Sequence, residues 1–182
     1  MKRILLSCSF IILMASCIND QESLQNIHNR DLQAIADYMR DNSLQGVRSE
    51  QDGATGVVII WTKENINGRS PEVGDYVKLN YTGSFFDARV FDTSLDSVAR
   101  ANNIHHPSRE YKPMQMIIGD ENYIRGFILG VNSMKEGDKA IILIPSRYAY
   151  GTSGHRGSIP PNTPLRFDLE MIEIKSEAEI EI

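Results

Sequence analysis

The chain has 182 residues, of which 41% are hydrophobic and 24% are charged, and this size suits one globular domain with a modest extension. Residues 1–16 contain two basic and no acidic residues, so the rest of the chain has 17 basic and 24 acidic residues and a formal charge of −7. Such an acidic chain, with no basic cluster, is poorly suited to the phosphates of nucleic acid. We therefore expect no nucleic-acid partner.

The first residues are typical of a targeting signal rather than of a folded element. Lys2 and Arg3 precede an apolar run, residues 4–15, that is too short to span a bilayer as a mature helix. The run ends in MASC at Cys17, which resembles the lipobox of bacterial lipoproteins, where cleavage occurs before the cysteine that carries the lipid. This predicts a signal peptide over 1–16, lipidation of Cys17 and an extracytoplasmic position on a bacterial membrane. An ordinary secretory signal and an uncleaved anchor helix are the alternatives.

Cysteine and histidine positions predict no metal or thiol chemistry. The only cysteines are Cys8 and Cys17, so the mature domain has no disulfide and no thiol nucleophile. His105 and His106 are adjacent, with no carboxylate or thiol at a ligand spacing, which favours a surface loop over a metal site. The glycine-rich run 151–157 lacks the Lys-Ser/Thr pair of a phosphate loop. We therefore expect neither a metal nor a cofactor.

The segment after the signal has two parts. Residues 17–28 are polar and suit a tether between a lipid and a folded body, with helix as the alternative. A helical extension is predicted over 29–54, because Asn29 is a capping residue and the helical period ends before Gly46. The apolar stripe consists of Leu24, Ile27, Leu32, Ile35, Tyr38 and Met39. We expect the stripe to pack on the main domain, and a partner or a second copy is the alternative.

The remainder, residues 55–175, has the pattern of a sheet with one short helix, followed by an acidic tail over 176–182. Alternating or β-rich runs predict strands over 57–62, 76–82, 88–92, 114–118, 139–144 and 165–171. The run 139–144 is apolar on both faces, and a helix is predicted over 123–132, where Gly126 and Gly130 indicate a close approach to a sheet. The predicted fold class is α+β, with about five antiparallel strands wrapped on one short helix and preceded by the amphipathic helix.

Four ordered motifs stand out in this domain. They are V-x-x-x-Y-T-G at Val77–Gly83, V-F-D-T-S at Val90–Ser94, Y-I-R-G-F at Tyr123–Phe127 and Y-A-Y-G…G-x-I-P-P-N-x-x-L-x-F-x-x-E at Tyr148–Glu170. Together they resemble the FKBP family of peptidyl-prolyl cis-trans isomerases over about residues 55–175. The resemblance implies an FKBP-like fold and an isomerase of X-Pro bonds that assists the folding of exported proteins. The chain looks like the lipid-anchored members found in Bacteroidetes-type bacteria, including those tied to gliding motility.

The resemblance also implies the position of the site. Its substrate pocket would be lined by aromatic and aliphatic residues, namely Tyr81, Phe91, Asp92, Met114, Tyr123, Ile124, Phe127, Tyr150, Ile159 and Phe167, with His155 beside it. In that family the backbone N–H at the Ile124 position and the hydroxyl at the Tyr150 position bind ligand carbonyls. Tyr81, Asp92 and Tyr150 are the implied catalytic residues. Asp92 either stabilises the twisted amide, through Tyr81, or forms a structural hydrogen bond.

Three departures from the family pattern affect the expected partners. Phe127 stands where the family has a tryptophan, Met114 replaces an aromatic residue, and residues 95–112 form an insertion that has room for a helical turn over the pocket rim. The expected partners are proline-containing polypeptides, the membrane through a lipid anchor, and macrolide inhibitors, whose affinity these departures leave open. The alternative function is a weakly or non-catalytic peptide-binding chaperone or assembly factor on the same fold.

Overall fold

The computed structural model describes residues 16–155 and 157–180. Its α-helices are α1 Ser16–Asp41, α2 Asp96–Ala101, α3 Arg125–Asn132 and α4 Glu177–Ile180. Its strands are β1 Arg48–Gln51, β2 Val58–Lys63, β3 Tyr76–Ser84, β4 Val90–Thr93, β5 Met114–Ile117, β6 Lys139–Ile144 and β7 Leu165–Lys175. A short 3-10 helix, Ser146–Tyr148, follows β6.

The strands form one antiparallel sheet in the order β1-β2-β6-β7-β3-β4, and β5 also pairs with β3. The predicted α+β architecture is therefore confirmed, but the sheet has seven strands rather than about five. The strand that the sequence pattern missed is β1, whose four residues are all exposed and show no apolar alternation. The long strand β7 lies between β6 and β3, so it links the two halves of the sheet.

One face of the sheet, called the inner face below, carries α3. A Cβ atom on Gly126 or Gly130 would overlap Ile144 or Ile142 of β6, so the predicted close approach of this helix to the sheet is confirmed. The helix begins two residues later than expected, at Arg125, because Ile124 has an extended conformation with φ −62° and ψ 138°. The inner-face core is buried between α3 and the alternate residues of β2, β3, β6 and β7.

The opposite face, the outer face, carries α1. Ile35 and Tyr38 are buried against an aliphatic patch on β2 and β6 that consists of Val58, Ile60, Ile141 and Leu143. The expectation that the apolar stripe packs on the main domain is therefore confirmed for Ile35, Tyr38 and Met39, whereas Leu24 at the start of the stripe is 44% exposed. It also explains why residues 139–144 are apolar on both faces, since α3 covers one side of β6 and α1 covers the other.

The chain termini differ in part from the sequence-based predictions. Helix α1 begins at Ser16, so residues 17–28, predicted as a tether, are helical, and Asn29 lies within the helix rather than at its cap. The predicted signal peptide lies outside the described residues apart from Ser16, and the side chain of Cys17 is not described. In the predicted acidic tail, Glu179 of α4 pairs with Arg69 at 2.9 Å. Among the described helices, none combines the length and hydropathy needed to cross a membrane.

Candidate functional site

The inner face ends in a cluster of aromatic rings beside the N-terminus of α3. Phe127 and Phe167 form its buried floor, with ring centroids 5.2 Å apart and 4% and 6% of their surface exposed. Phe91 packs edge-on against Phe167 at 5.7 Å, and Tyr81 packs edge-on against Phe127 at 6.5 Å. Both outer rings are half-buried. The cluster therefore has an apolar floor and walls whose outer edges reach solvent.

Local sequence explains how these rings meet. In β3, Tyr81 and Gly83 point to the same face of the sheet because they are two residues apart. A side chain at Gly83 would collide with the rings of Phe91 and Phe167, so the glycine of the Y-T-G motif leaves the space that these rings fill. Asp92 pairs with Gly83 across the two strands, which brings the acid next to Tyr81. The motif thus shapes the pocket wall.

The start of α3 supplies another part of the wall. Tyr123 stacks on Phe127 at 6.3 Å, and Ile124 packs against the same core. The Ile124 carbonyl accepts hydrogen bonds from the N–H groups of Phe127 at 3.0 Å and Ile128 at 3.1 Å, which closes the first helical turn. The N–H of Ile124 has no acceptor within the described part of the chain. It is therefore available to donate to a ligand carbonyl.

Polar groups form a network at the rim of the pocket. The Tyr81 hydroxyl donates to Asp92 Oδ2 at 2.6 Å. Arg109 donates from Nη1 to Asp92 Oδ1 at 2.5 Å and from Nη2 to the Tyr81 oxygen at 3.1 Å. The backbone N–H of Thr93 also donates to Asp92 Oδ1, at 2.9 Å. Asp92 is therefore held by three partners and fixes the orientation of the Tyr81 ring.

Arg109 belongs to the insertion and is a site residue that the sequence reasoning missed. Its guanidinium lies 5.1 Å from the ring centre of Tyr111, which stacks in turn on His105 at 5.2 Å. His105 pairs with Asp96 in α2 at 3.1 Å, so the insertion forms a small structure of its own that holds the arginine. The sequence signal that could have found it is a basic residue near the end of the insertion that follows the V-F-D-T-S motif. Whether that residue contacts Asp92 depends on how the insertion folds back.

The pocket environment keeps its tyrosine hydroxyls protonated. Burial, reinforced by the hydrogen bond to the Asp92 carboxylate, raises the pKa of Tyr81 well above its usual value, although Arg109 opposes the shift. Burial also raises the pKa of Tyr150, and the negative charge of Asp92 adds to this effect. Both hydroxyls therefore remain hydrogen-bond donors at neutral pH.

The loop that follows the 3-10 helix forms the remaining wall. Tyr150 and His155 pack ring against ring at 4.8 Å, and the main chain of His155 pairs with that of Ile159. Ile159 is 4% exposed and belongs to the inner-face core. The loop thus turns Tyr150 and Ile159 towards one region of the inner face. Outside this loop, Met114 at the start of β5 packs against the same core.

Each sequence-predicted pocket residue either lies in or against the inner-face core or contacts a residue that does. Those that lie in or against the inner-face core are Tyr81, Phe91, Met114, Tyr123, Ile124, Phe127, Tyr150, Ile159 and Phe167. Asp92 joins them through Tyr81, and His155 through Tyr150. Cys17 lies near the start of α1 and is not a member of this set. No group of three or more potential metal ligands occurs within residues 16–155 and 157–180.

A separate concavity of about 770 Å³ lies beside α3 and does not contain the aromatic cluster. Its lining is mixed and includes Asp120, Glu121, Arg125, Asn132 and Tyr148. Since ligand pockets are mostly apolar with a few convergent polar groups, the aromatic cluster is the better candidate for the site.

Comparison with known proteins agrees with this fold. Residues 67–172 match the FKBP-type peptidyl-prolyl cis-trans isomerase family. The FK506-binding protein 1B of Aspergillus fumigatus is 38% identical over 116 residues, which cover 60% of this chain and 87% of that protein. The peptidyl-prolyl cis-trans isomerase Fkbp12 of Drosophila melanogaster is 32% identical over 120 residues, which cover 66% of this chain and 99% of that protein.

Among solved structures, FkpA from Escherichia coli superimposes with a TM-score of 0.60 at 26% sequence identity, covering 86% of this chain and 64% of that chain. The antiparallel sheet wrapped on one short helix matches the FKBP fold. The chain belongs to the FKBP-type peptidyl-prolyl cis-trans isomerase family and is a peptidyl-prolyl cis-trans isomerase.

Proposed function

We propose that the inner-face aromatic pocket binds the proline ring of X-Pro segments in exported proteins and speeds their cis-trans isomerisation. The observation that carries this proposal is the buried Phe127–Phe167 floor, which is bordered by the half-buried rings of Tyr81 and Phe91 and has the Tyr150 hydroxyl and the Ile124 N–H as donors beside it. Such a pocket offers apolar surface to a proline ring and donors to the carbonyls on either side of it.

The physical task is to lower a rotation barrier of about 18–20 kcal/mol that arises from amide resonance. A planar amide is more polar than a twisted one, because rotation removes the charge separation that resonance creates. A dry aromatic floor therefore disfavours the planar ground state relative to the twisted transition state. Each tenfold acceleration needs about 1.4 kcal/mol of such differential stabilisation.

Donors at the rim provide the remaining stabilisation. In this proposal the Ile124 N–H and the Tyr150 hydroxyl donate to the carbonyls that flank the rotating bond, and each of these hydrogen bonds contributes about 0.5–1.5 kcal/mol. Asp92 acts through Tyr81, whose ring it holds against Phe127. Arg109 offsets part of the Asp92 charge and fixes its position. No nucleophile is required, since no covalent bond is broken.

A protease-coupled assay on short proline peptides, together with proline-limited refolding of a model protein, tests the activity. We expect a rate well above the uncatalysed one, which takes tens of seconds. Phe127→Ala and Phe91→Ala should reduce that rate. If the wild-type protein does not raise the isomerisation rate above the uncatalysed rate but does suppress aggregation of an unfolded client, the chaperone alternative is correct.

Macrolide binding is proposed from the names of the relatives, which are FK506-binding proteins. FK506 should compete with proline peptides for the pocket. The family resemblance places a tryptophan where this chain has Phe127, so less aromatic surface is available and the affinity should be lower than that of the relatives. Phe127→Trp should raise the affinity for FK506 in a competition titration, and an unchanged inhibition constant would argue against this explanation.

The location of the enzyme is proposed from its N-terminal sequence. Lys2 and Arg3, the apolar run and Cys17 together favour a lipid-anchored protein outside the cytoplasm, where newly exported chains would be its clients. Mass spectrometry of the mature N-terminus should show cleavage before Cys17 and a lipid mass on that residue. Cys17→Ser should remove the lipid and release the protein from the membrane fraction. A cleaved N-terminus without lipid would support the ordinary secretory signal, and an uncleaved one would support the anchor helix.

A further inference from the structure

Helix α1 makes a polar contact with the pocket loop that its apolar stripe does not explain. Asp31 is only 1% exposed, and its Oδ2 accepts hydrogen bonds from the Ser146 N–H at 2.9 Å and from the Ser146 hydroxyl at 2.5 Å. A buried carboxylate is retained only where its partners compensate for lost hydration. The first turn of the 3-10 helix after β6 is therefore held by a carboxylate from α1.

Ser146 passes this constraint to Tyr150. The Ser146 carbonyl accepts the N–H of Ala149 at 3.0 Å and that of Gly151 at 2.8 Å, the two residues on either side of Tyr150. Asp31 thus holds the amide and hydroxyl of Ser146, and the carbonyl of Ser146 holds the main chain around the tyrosine. If the main chain at Ser146 rotated, its carbonyl would lose or displace the hydrogen bonds on either side of Tyr150, and Tyr150 would move with it.

The neighbouring residue on α1 holds the other end of the loop. Arg30 donates from Nη2 to the carbonyl of Asn162 at 3.1 Å, and the N–H of Asn162 donates to the Gly151 carbonyl at 2.8 Å. Ile159, on the opposite side of the loop from Tyr150, lies three residues before this contact. Two consecutive residues of α1 therefore contact both ends of the loop that carries Tyr150 and Ile159.

We propose that Arg30 and Asp31 are positioning residues that set the separation of Tyr150 and Ile159 across the proline pocket. Neither is in the aromatic cluster, so they act through Ser146 and Asn162. Both precede residues 67–172, which match the family, so this support comes from the extension rather than from the matched domain. The inference rests on the proposed pocket, because it assigns Tyr150 and Ile159 to substrate binding.

The competing explanation is that the contacts only attach α1 to the domain. Asp138 provides a matched control, because it is equally buried and accepts two backbone N–H groups, from Asn65 at 2.6 Å and Lys135 at 2.8 Å. It lies at the opposite end of β6 from Ser146, roughly 20 Å away at about 3.3 Å per strand residue. Loss of Asp138 should destabilise the fold without disturbing the loop.

The experiment compares Asp31→Ala, Asp31→Asn and Asp138→Ala in the protease-coupled assay, with kcat/KM corrected for the folded fraction by circular dichroism. Asp31→Ala should lower kcat/KM by about tenfold, because small misplacements of binding groups have large effects on rate. Asp31→Asn keeps an oxygen acceptor and should restore kcat/KM to within about threefold of wild type. Asp138→Ala should lower the melting temperature and leave kcat/KM unchanged. Equal losses in both alanine variants, or no loss in Asp31→Ala, would overturn the proposal.

Hydrogen exchange by mass spectrometry gives a second readout that does not need activity. Peptides covering 146–155 should exchange faster in Asp31→Ala and at the wild-type rate in Asp138→Ala. Arg30→Ala, whose side chain is largely exposed, should fold and lower kcat/KM by about twofold. An inactive wild type would reject the proposed pocket, whereas unchanged exchange in Asp31→Ala would reject the positioning role.

Discussion

The two faces of the sheet are both buried, but they are built from different side chains. The inner face ends in aromatic rings, and polar groups such as Tyr81, Asp92 and Arg109 surround its open side. The outer face carries an aliphatic patch that α1 covers with Ile35 and Tyr38. An open aromatic surface with polar edges suits ligand binding, whereas an aliphatic patch closed by a helix suits stability.

The comparison also shows what α1 contributes. The outer patch lies on β2 and β6, whose other face is the core under α3, so these two strands depend on both helices for burial. Over β7 the outer face is polar instead, and Arg166 bonds Asp168 at 2.6 Å and the Tyr38 hydroxyl at 2.9 Å. The extension is therefore part of the folded body of the enzyme, and the following predictions separate its role from that of the pocket.

The largest expected effect is on stability, from the outer face. Ile35→Ala should lower the free energy of unfolding by about 2–5 kcal/mol, because Ile35 is 2% exposed and its loss leaves a cavity over Val58 and Ile141. Leu24→Ala, on the same helix but 44% exposed, should change it by less than about 0.5 kcal/mol. Urea titrations of both variants measure the difference. Equal stability of the two would mean that α1 does not pack on the sheet.

The next largest effect is on activity, and it is measured by comparing alanine variants of two half-buried phenylalanines, one on each face of the sheet. Phe91→Ala removes a pocket wall and should lower kcat/KM by about a hundredfold, equivalent to about 2.7 kcal/mol of transition-state stabilisation. Phe86, which stacks on Tyr38 at 4.3 Å on the outer face, is its matched control. Phe86→Ala should reduce stability and leave kcat/KM within about twofold of wild type. A loss of activity in both variants would mean that the faces are not functionally distinct.

A smaller effect distinguishes two aspartates that each pair with an arginine. The side chains of Asp92 and Asp168 are 39% and 43% exposed, and their partners are Arg109 and Arg166. Asp92→Asn should lower kcat/KM by about tenfold, equivalent to about 1.4 kcal/mol, while Asp168→Asn should not change it. Steady-state assays of the folded variants provide the comparison. If Asp92→Asn turns over substrate at the wild-type rate, the role of Asp92 is limited to a structural hydrogen bond.

The smallest effect appears in alkaline solution. Burial and Asp92 raise the pKa of Tyr81, so the folded chain keeps this proton after the unfolded chain loses it near its usual pKa of about 10. The folded state then binds more protons, and the free energy of unfolding falls with rising pH. The stabilisation that comes from the raised pKa of Tyr81 is intact below about pH 10 and is lost above it. The loss is at most about 1.4 kcal/mol per pH unit, and solvent screening of the half-buried ring makes it smaller.

Urea unfolding of wild type and Tyr81→Phe between pH 8 and pH 11 tests this linkage. The difference in unfolding free energy between the two proteins should be constant up to about pH 9 and should shrink at higher pH, because only the wild type has this tyrosine to ionise. Parallel curves over the whole range would show that the pKa of Tyr81 does not differ between the folded and unfolded chains.

Local pattern predicted most of the elements but not their limits. The range 139–144 of β6 was predicted correctly, since a continuous apolar run is a strong strand signal. Strand β1 was missed because its residues are exposed and its pairing with β2 is all that makes it a strand. The segment 17–28 was predicted as a tether because it is polar, yet it continues the helix towards Ser16. Arg109 was missed because its partner Asp92 is seventeen residues away.

The sequence by itself determined the fold class and the order of the motifs, because these depend on residue type and short-range period, and the resemblance of the motifs to a family implied the pocket residues. The tertiary structure alone decided that Arg109 closes the rim, that α1 covers the outer face and that Asp31 holds the loop around Tyr150. Asp31 and Ser146 are 115 residues apart in the chain. Such contacts depend on how the whole chain packs, and a pattern read over a few residues carries no information about them.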